Sequence, residues 1–140
     1  MIITIAIDDE PLALQLIAGY ISKTPFLDLK GSFDNPLDAM DYLSREAVDL
    51  IFLDIQMPDL TGLEFIRTLI NKPKIIFATA YPNYALEGFK LEVVDYLLKP
   101  FNYETFLTSV RKAQNLIELE RKAVNKVDAN ENFLFLKSEY

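Results

Sequence analysis

The sequence predicts a doubly wound α/β domain, a five-stranded parallel sheet with helices on both faces in (βα)5 order. Three observations predict it. Four short runs, Ile2 to Ile7, Val48 to Leu53, Ile75 to Ala78 and Val93 to Leu98, are mainly apolar at successive positions, as suits strands covered on both faces. Segments with helix-start signals separate them, joined by short connections. The 140 residues suffice for one domain with a core of its own.

Taken in order, Ile2 to Ile7 is the first strand, and Pro11 opens a helix carrying Leu12, Ala13, Leu16, Ile17 and Tyr20. A fifth, weaker run, Phe26 to Phe33, alternates more and suits a strand nearer an edge. Pro36 opens a second helix with Leu37, Met40 and Leu43 inward. After Val48 to Leu53, Thr61 can cap a third helix carrying Leu63, Ile66 and Leu69. After Ile75 to Ala78, Pro82 opens a short fourth with Ala85 and Phe89. Val93 to Leu98 is the fifth strand in chain order. Asn102 then caps a long last helix in which Tyr103, Phe106, Leu107, Val110, Ile117 and Leu119 recur at roughly helical spacing. Past about Lys122 the register fades. VNKVDANEN reads as a polar linker and 133-FLFLKSEY-140 as one more strand without a partner. Residues 1–122 therefore read as one domain, and 123–140 as a linker and the start of a second domain of a longer protein.

Composition narrows the chemistry. Fourteen basic against 21 acidic residues give a formal net charge of -7, which repels phosphate backbones, so this part of the protein is not expected to bind nucleic acid itself. With no cysteine, disulfides, thiolate metal sites and cysteine nucleophiles are excluded. With no histidine, the commonest general base and metal ligand are missing too. No apolar run approaches the roughly 20 residues of a membrane helix. The opening MIITIAIDDE also lacks the basic start and long apolar core of a signal peptide, so the expected location is the cytoplasm with no membrane partner.

In a doubly wound sheet the ligand lies at the carboxyl ends of the strands, where the winding direction changes. The residues there are Asp8 and Asp9, Asp54, Thr79, and Lys99 with Pro100. Each has a plainer reading, as a helix cap, a turn former, a strand residue or a solvated lysine. Together they converge on one end. Carboxylates about 5 Å apart repel by about 3 kcal/mol per pair at an effective dielectric near 20. A hard divalent cation relieves this, Mg²⁺ by preference and Mn²⁺ nearly as well, held by Asp9 and Asp54, by Asp8 through water, and by the backbone carbonyl of Gln56. With Lys99 opposite, a compensated Asp54 can act as a nucleophile toward a phosphoryl group, the Thr79 hydroxyl hydrogen-bonding a transferred oxygen.

The acidic pair in 5-IAIDDE-10, the aspartate in 51-IFLDIQMPDLTG-62, the threonine in 76-IFATAY-81 and the lysine-proline in 95-DYLLKPF-101 resemble, in order, the receiver domain of bacterial two-component response regulators. The resemblance covers about the first 120 residues. It implies the flavodoxin-like receiver fold, Asp54 as phosphoacceptor, Asp8 and Asp9 as metal-binding acids, Thr79 as switch hydroxyl and Lys99 as phosphate-sensing lysine. It further implies a cis bond before Pro100, a Tyr96 ring that changes rotamer with the switch, and a sensor histidine kinase as donor. The surface made by the fourth helix, fifth strand and fifth helix would then favour a homodimer or release an output domain. The run 77-FATAYPNYALEGFKLEVVDYLLKPF-101 and the trailing 132-NFLFLKSEY-140 resemble regulators with a LytTR-type DNA-binding domain, through which alone DNA would be bound.

Three other readings compete with this one. An aspartate-nucleophile phosphohydrolase has a second aspartate two residues after the first, where this chain has Gln56. A flavin-binding carrier needs a hydroxyl- and glycine-rich loop where 7-IDDEPLA-13 would repel phosphate. A degenerate receiver that no longer takes phosphate keeps the fold and loses the chemistry.

Overall fold

The computed structural model describes residues 1–82 and 92–138, with side chains through residue 125. Five strands, β1 (Ile2–Ile7), β2 (Leu27–Phe33), β3 (Leu50–Leu53), β4 (Lys74–Thr79) and β5 (Asp95–Leu98), form one sheet in the order β2-β1-β3-β4-β5, every pair parallel. The expected edge strand is β2. Around the sheet lie α1 (Pro11–Ser22), α2 (Pro36–Leu43), α3 (Gly62–Arg67) and a last helix, α4 (Tyr103–Ser138). The helix expected from Pro82 falls mainly outside the described residues.

Strand alternation divides the core between the two faces. Leu50 and Phe52 point to one side, where α1 and α4 bring Ile17, Ile21, Phe106, Val110, Ala113 and Ile117. Ile51 and Leu53 point to the other, where α2 and α3 bring Ala39, Leu63 and Phe65. All four β3 residues are fully buried, which is why that run carries no polar residue. Phe106 stacks on Phe52 with ring centroids 5.2 Å apart, fastening α4 to the middle of the sheet.

The helix starts follow local chemistry. Pro36 at the start of α2 is preceded by Asn35, whose side chain accepts from the Leu37 amide at 2.7 Å. Thr61 and Glu64 form a reciprocal capping box at α3. Asn102 accepts from the Thr105 amide at 2.9 Å and starts α4. Leu37, expected inward, is 52% exposed, and Leu12 and Leu119, apolar positions of their helices, are 77% and 54% exposed, while Ala39 and Ala113 take the seams.

The polar linker and lone strand expected over residues 123–140 are corrected, since α4 runs unbroken to Ser138; residues 139–140 are outside the described set. The reason is backbone accounting. A helix satisfies its own amides and carbonyls within the segment, so a polar stretch can continue it. Nearer its middle α4 is tied to the amino ends of the strands: Arg121 reaches Asp49 at 3.2 Å and the Met1 carbonyl at 3.3 Å, and Glu120 pairs with Lys74.

The two sides of α4 should respond differently to truncation. Phe106→Ala is expected to cost about 3–5 kcal/mol in urea unfolding and Leu119→Ala less than about 0.5 kcal/mol. Equal losses would mean that the seam is misassigned.

Candidate functional site

The strand ladders hold the site residues by their backbones. Just past the ends of β1 and β3, the Asp8 amide donates to the Phe33 carbonyl at 3.0 Å and the Asp54 amide to the Ile7 carbonyl at 3.0 Å. The Lys99 amide donates to the Thr79 carbonyl at 2.8 Å, so β5 delivers the lysine from a fixed distance beyond β4. The winding direction reverses beside β1, whose neighbours are β2 and β3, so Asp8 and Asp54 flank the point where such sheets bind ligands.

A further constraint comes from Gly62. The start of α3 passes so close to the acceptor strand end that a Cβ on Gly62 would lie 2.4 Å from the Asp54 carbonyl oxygen. The Gly62 amide also donates to the Ile55 carbonyl at 2.8 Å. Only glycine fits there. In the same loop Asp59 sits at φ 69°, the left-handed region that aspartate tolerates better than most residues.

Carboxylate oxygens of Asp8, Asp9, Glu10 and Asp54 all lie within 4.8 Å of one another. Asp8 and Asp54 are 1% and 3% exposed, while Asp9 and Glu10 are more open. The Lys99 ammonium sits 2.7 Å from Asp8 Oδ2, 3.5 Å from Glu10 Oε1 and 3.8 Å from Asp54 Oδ2. Glu10 was not singled out from the sequence, where it reads as the residue before a helix. It is the N-cap of α1, yet its side chain makes no cap bond and turns to Lys99 instead. Its position directly after the Asp8-Asp9 pair was the available signal.

Burial raises the Asp54 carboxyl to about 6, and the Asp8 charge pushes the same way, while Lys99, the Thr79 hydroxyl and the Ile55 amide oppose it. Asp8 is also raised, again mainly by burial, against the pull of Lys99 and the Glu10 amide. Burial alone would lower Lys99, but its hydrogen bond and charge contacts with Asp8, then Asp54 and Glu10, leave it raised. One ammonium is not enough for four acids. Asp54 Oδ1 is buried with no hydrogen-bond partner, an uncompensated acceptor of the kind a cation satisfies. An all-oxygen donor set of this kind suits a hard divalent ion.

The remaining sequence candidates fall nearby. Thr79 is fully buried at the end of β4 and its Oγ1 accepts from the Tyr81 amide at 3.3 Å. Gln56 follows Asp54 by two residues and is half-buried. Tyr96 lies on β5 opposite Phe77, ring centroids 6.1 Å apart; its hydroxyl is out of solvent, not at the surface as composition suggests. The Lys99-Pro100 peptide is cis, as expected.

The fold and site define a class of doubly wound α/β domain with an oxygen-donor acid cluster, a buried hydroxyl and a lysine at its switch point. The comparisons make the assignment specific: residues 4–111 match the family model described as "Response regulator receiver domain", and the chain belongs to that family. It is 34% identical over 129 residues to the sensory transduction protein LytT of Bacillus anthracis, covering 87% of this chain and 52% of the relative. It is 36% identical over 113 residues to the transcriptional regulatory protein YpdB of Escherichia coli strain K12, covering 79% and 46%. The chain thus spans about half the length of the curated relatives it matches. The crystal structure of the response regulatory domain of protein MrkE from Klebsiella pneumoniae superposes with a TM-score of 0.78 at 35% identity, covering 84% of this chain and 98% of that one.

Two outcomes follow. Below about pH 4 Asp54 holds its proton in both the folded and unfolded states; between 4 and 6 only the folded state keeps it, so stability falls as pH rises and the full cost is present above 6. In metal-free buffer Asp54→Asn should therefore be more stable than wild type by about 1–3 kcal/mol at pH 7.5, with the gain gone below pH 4. A pH-independent difference in urea unfolding would refute this. Gly62→Ala should cost about 1–3 kcal/mol by the same measurement, because backbone and not a flexible side chain has to yield.

Proposed function

We propose that this chain is a phosphorylation-dependent signalling switch in which Asp54 accepts a phosphoryl group from a sensor histidine kinase. The observation that carries the reading is the buried Asp54 carboxylate, clustered with three other acids, its Oδ1 without a hydrogen-bond partner and its Oδ2 3.8 Å from the Lys99 ammonium. The chain contains no histidine, so the phosphohistidine donor is supplied by the partner. An Asp54 carboxylate oxygen attacks phosphorus, the phosphorus–nitrogen bond of the donor breaks, and the imidazole leaves with the electron pair and takes up a proton. The product is an acyl phosphate.

Asp8, Asp9, Asp54 and the Gln56 carbonyl would hold Mg²⁺, or Mn²⁺, which when bound supplies neutralising charge to the transferring oxygens. Lys99 exchanges part of its contact with Asp8 for a phosphoryl oxygen. The Thr79 hydroxyl then closes on another, and the Tyr96 ring changes rotamer. These movements reshape the surface formed by β5, α4 and the helix expected after Pro82, favouring a homodimer and controlling a C-terminal output domain. The names of LytT and YpdB support a sensory and transcriptional role, with DNA contacted through a LytTR-type domain. Beyond its own phosphoryl transfer and slow autodephosphorylation the domain acts on no other substrate. Among the described residues no helix is long and apolar enough to cross a membrane, which supports a cytoplasmic setting.

Intact mass after incubation with acetyl phosphate tests the reading. Wild type should gain one phosphoryl group only with Mg²⁺, and Asp54→Asn none; uptake by the variant, or metal-independent uptake, would overturn it. Mg²⁺ at 100 times its dissociation constant should stabilise wild type by about 2.7 kcal/mol. Asp9→Asn should lose most of that gain at the same concentration, as read by thermal shift.

A further inference from the structure

The helix that begins beside the acids also reaches the turn that follows the lysine. Helix α1 starts directly after Asp8, Asp9 and Glu10, and nine residues beyond Pro11 it carries Tyr20. The Tyr20 hydroxyl donates to the Phe101 carbonyl at 3.1 Å, two residues past Lys99. The Tyr20 ring packs against Phe101, Tyr103 and Phe106 with centroids 6.1, 5.5 and 5.3 Å away. On its other side Lys99 is held by its amide to the Thr79 carbonyl. The chain is thus held at Lys99 from β4 and, two residues further on, at Phe101 from α1.

We propose that Tyr20 is a positioning residue for Lys99: its hydroxyl anchors the Lys99–Phe101 turn to the same helix whose start carries the acids. This rests on the receiver reading and adds to it a group remote from the phosphoryl site. The lysine has to shift from 2.7 Å contact with Asp8 toward an oxygen on Asp54, now 3.8 Å away. A loosened turn lets the ammonium stay with Asp8, and a misplacement of about 1 Å weakens a contact of this kind severely.

A neighbouring hydroxyl provides the control. Tyr103 Oη lies 3.0 Å from Thr24 Oγ1 and donates to the Lys23 carbonyl at 3.2 Å, joining the end of α1 to the start of α4 without touching the Phe101 carbonyl. Tyr20→Phe and Tyr103→Phe each remove one hydroxyl from the same aromatic cluster and keep the ring. They differ in which backbone they release.

The probes are Mg²⁺ alone and beryllofluoride in saturating Mg²⁺, a phosphoryl mimic, titrated into the full chain by calorimetry or NMR. Tyr20→Phe should weaken beryllofluoride binding about 3- to 10-fold, the range of one hydrogen bond, and leave Mg²⁺ affinity within about twofold. Tyr103→Phe should change neither. In a Lys99→Ala background Tyr20→Phe should add no further loss, as expected if it acts only through the lysine. Equal beryllofluoride affinity in Tyr20→Phe and wild type overturns the inference, as does a parallel fall in Mg²⁺ affinity or an undiminished effect without Lys99. Wild type that binds Mg²⁺ but no beryllofluoride would instead overturn the phosphoryl-acceptor reading, and this inference with it.

Discussion

The pairing of one half-buried ammonium with two buried carboxylates governs the rest of this structure. Lys99 arrives from β5, and β4 stands between it and Asp54 on β3, a separation of about two strand spacings or roughly 10 Å. A short side chain could not close that gap. Lysine does so with a flexible stem that lies along the protein and a compact charge that can exchange partners. Thr79, at the end of the intervening strand, necessarily lies along the same path. The order of strands therefore dictates which residue types can serve at each end, and the backbone bond between Lys99 and Thr79 keeps the two from drifting apart.

Such a site works against the stability of its own domain. Burial raises both Asp8 and Asp54 despite the lysine, so the folded chain carries electrostatic strain at neutral pH that the unfolded chain does not. The opposing contribution comes from the sheet, whose central strands are covered on both faces by separate aromatic and aliphatic clusters. Function and folding are thus placed in different parts of one molecule. The core tolerates no charge, and the charges collect where the strands run out.

Much of this was legible in the residues. An aspartate directly after Leu50-Ile51-Phe52-Leu53 has no local reason to be there, which is why Asp54 drew attention. Pro11, Pro36, Thr61 and Asn102 announced helix starts because each performs a local task at a helix end. Features that depend on distance across the fold were hidden. Glu10 looked like a helix-start residue until its side chain proved to face Lys99 rather than the helix. The apolar pattern places Leu37 inward, yet it is half exposed, because a pattern gives a repeat and not the direction of the neighbour. Over residues 123–138 a polar composition and a β-prone tail suggest linker and strand, whereas the backbone continues as helix, which satisfies its own amides and carbonyls whatever the side chains.

The contact between Gly62 and the Asp54 carbonyl also limits how this protein can diverge or be redesigned. Seven residues, Ile55 to Thr61, connect the two, and the glycine meets the carbonyl only at that length. An insertion or deletion in the loop would bring a side chain to a place with no room for one. Variation must therefore enter by replacement at fixed length, at outward positions such as Pro58. Loop grafting between relatives is open only where the donor keeps both the spacing and the glycine.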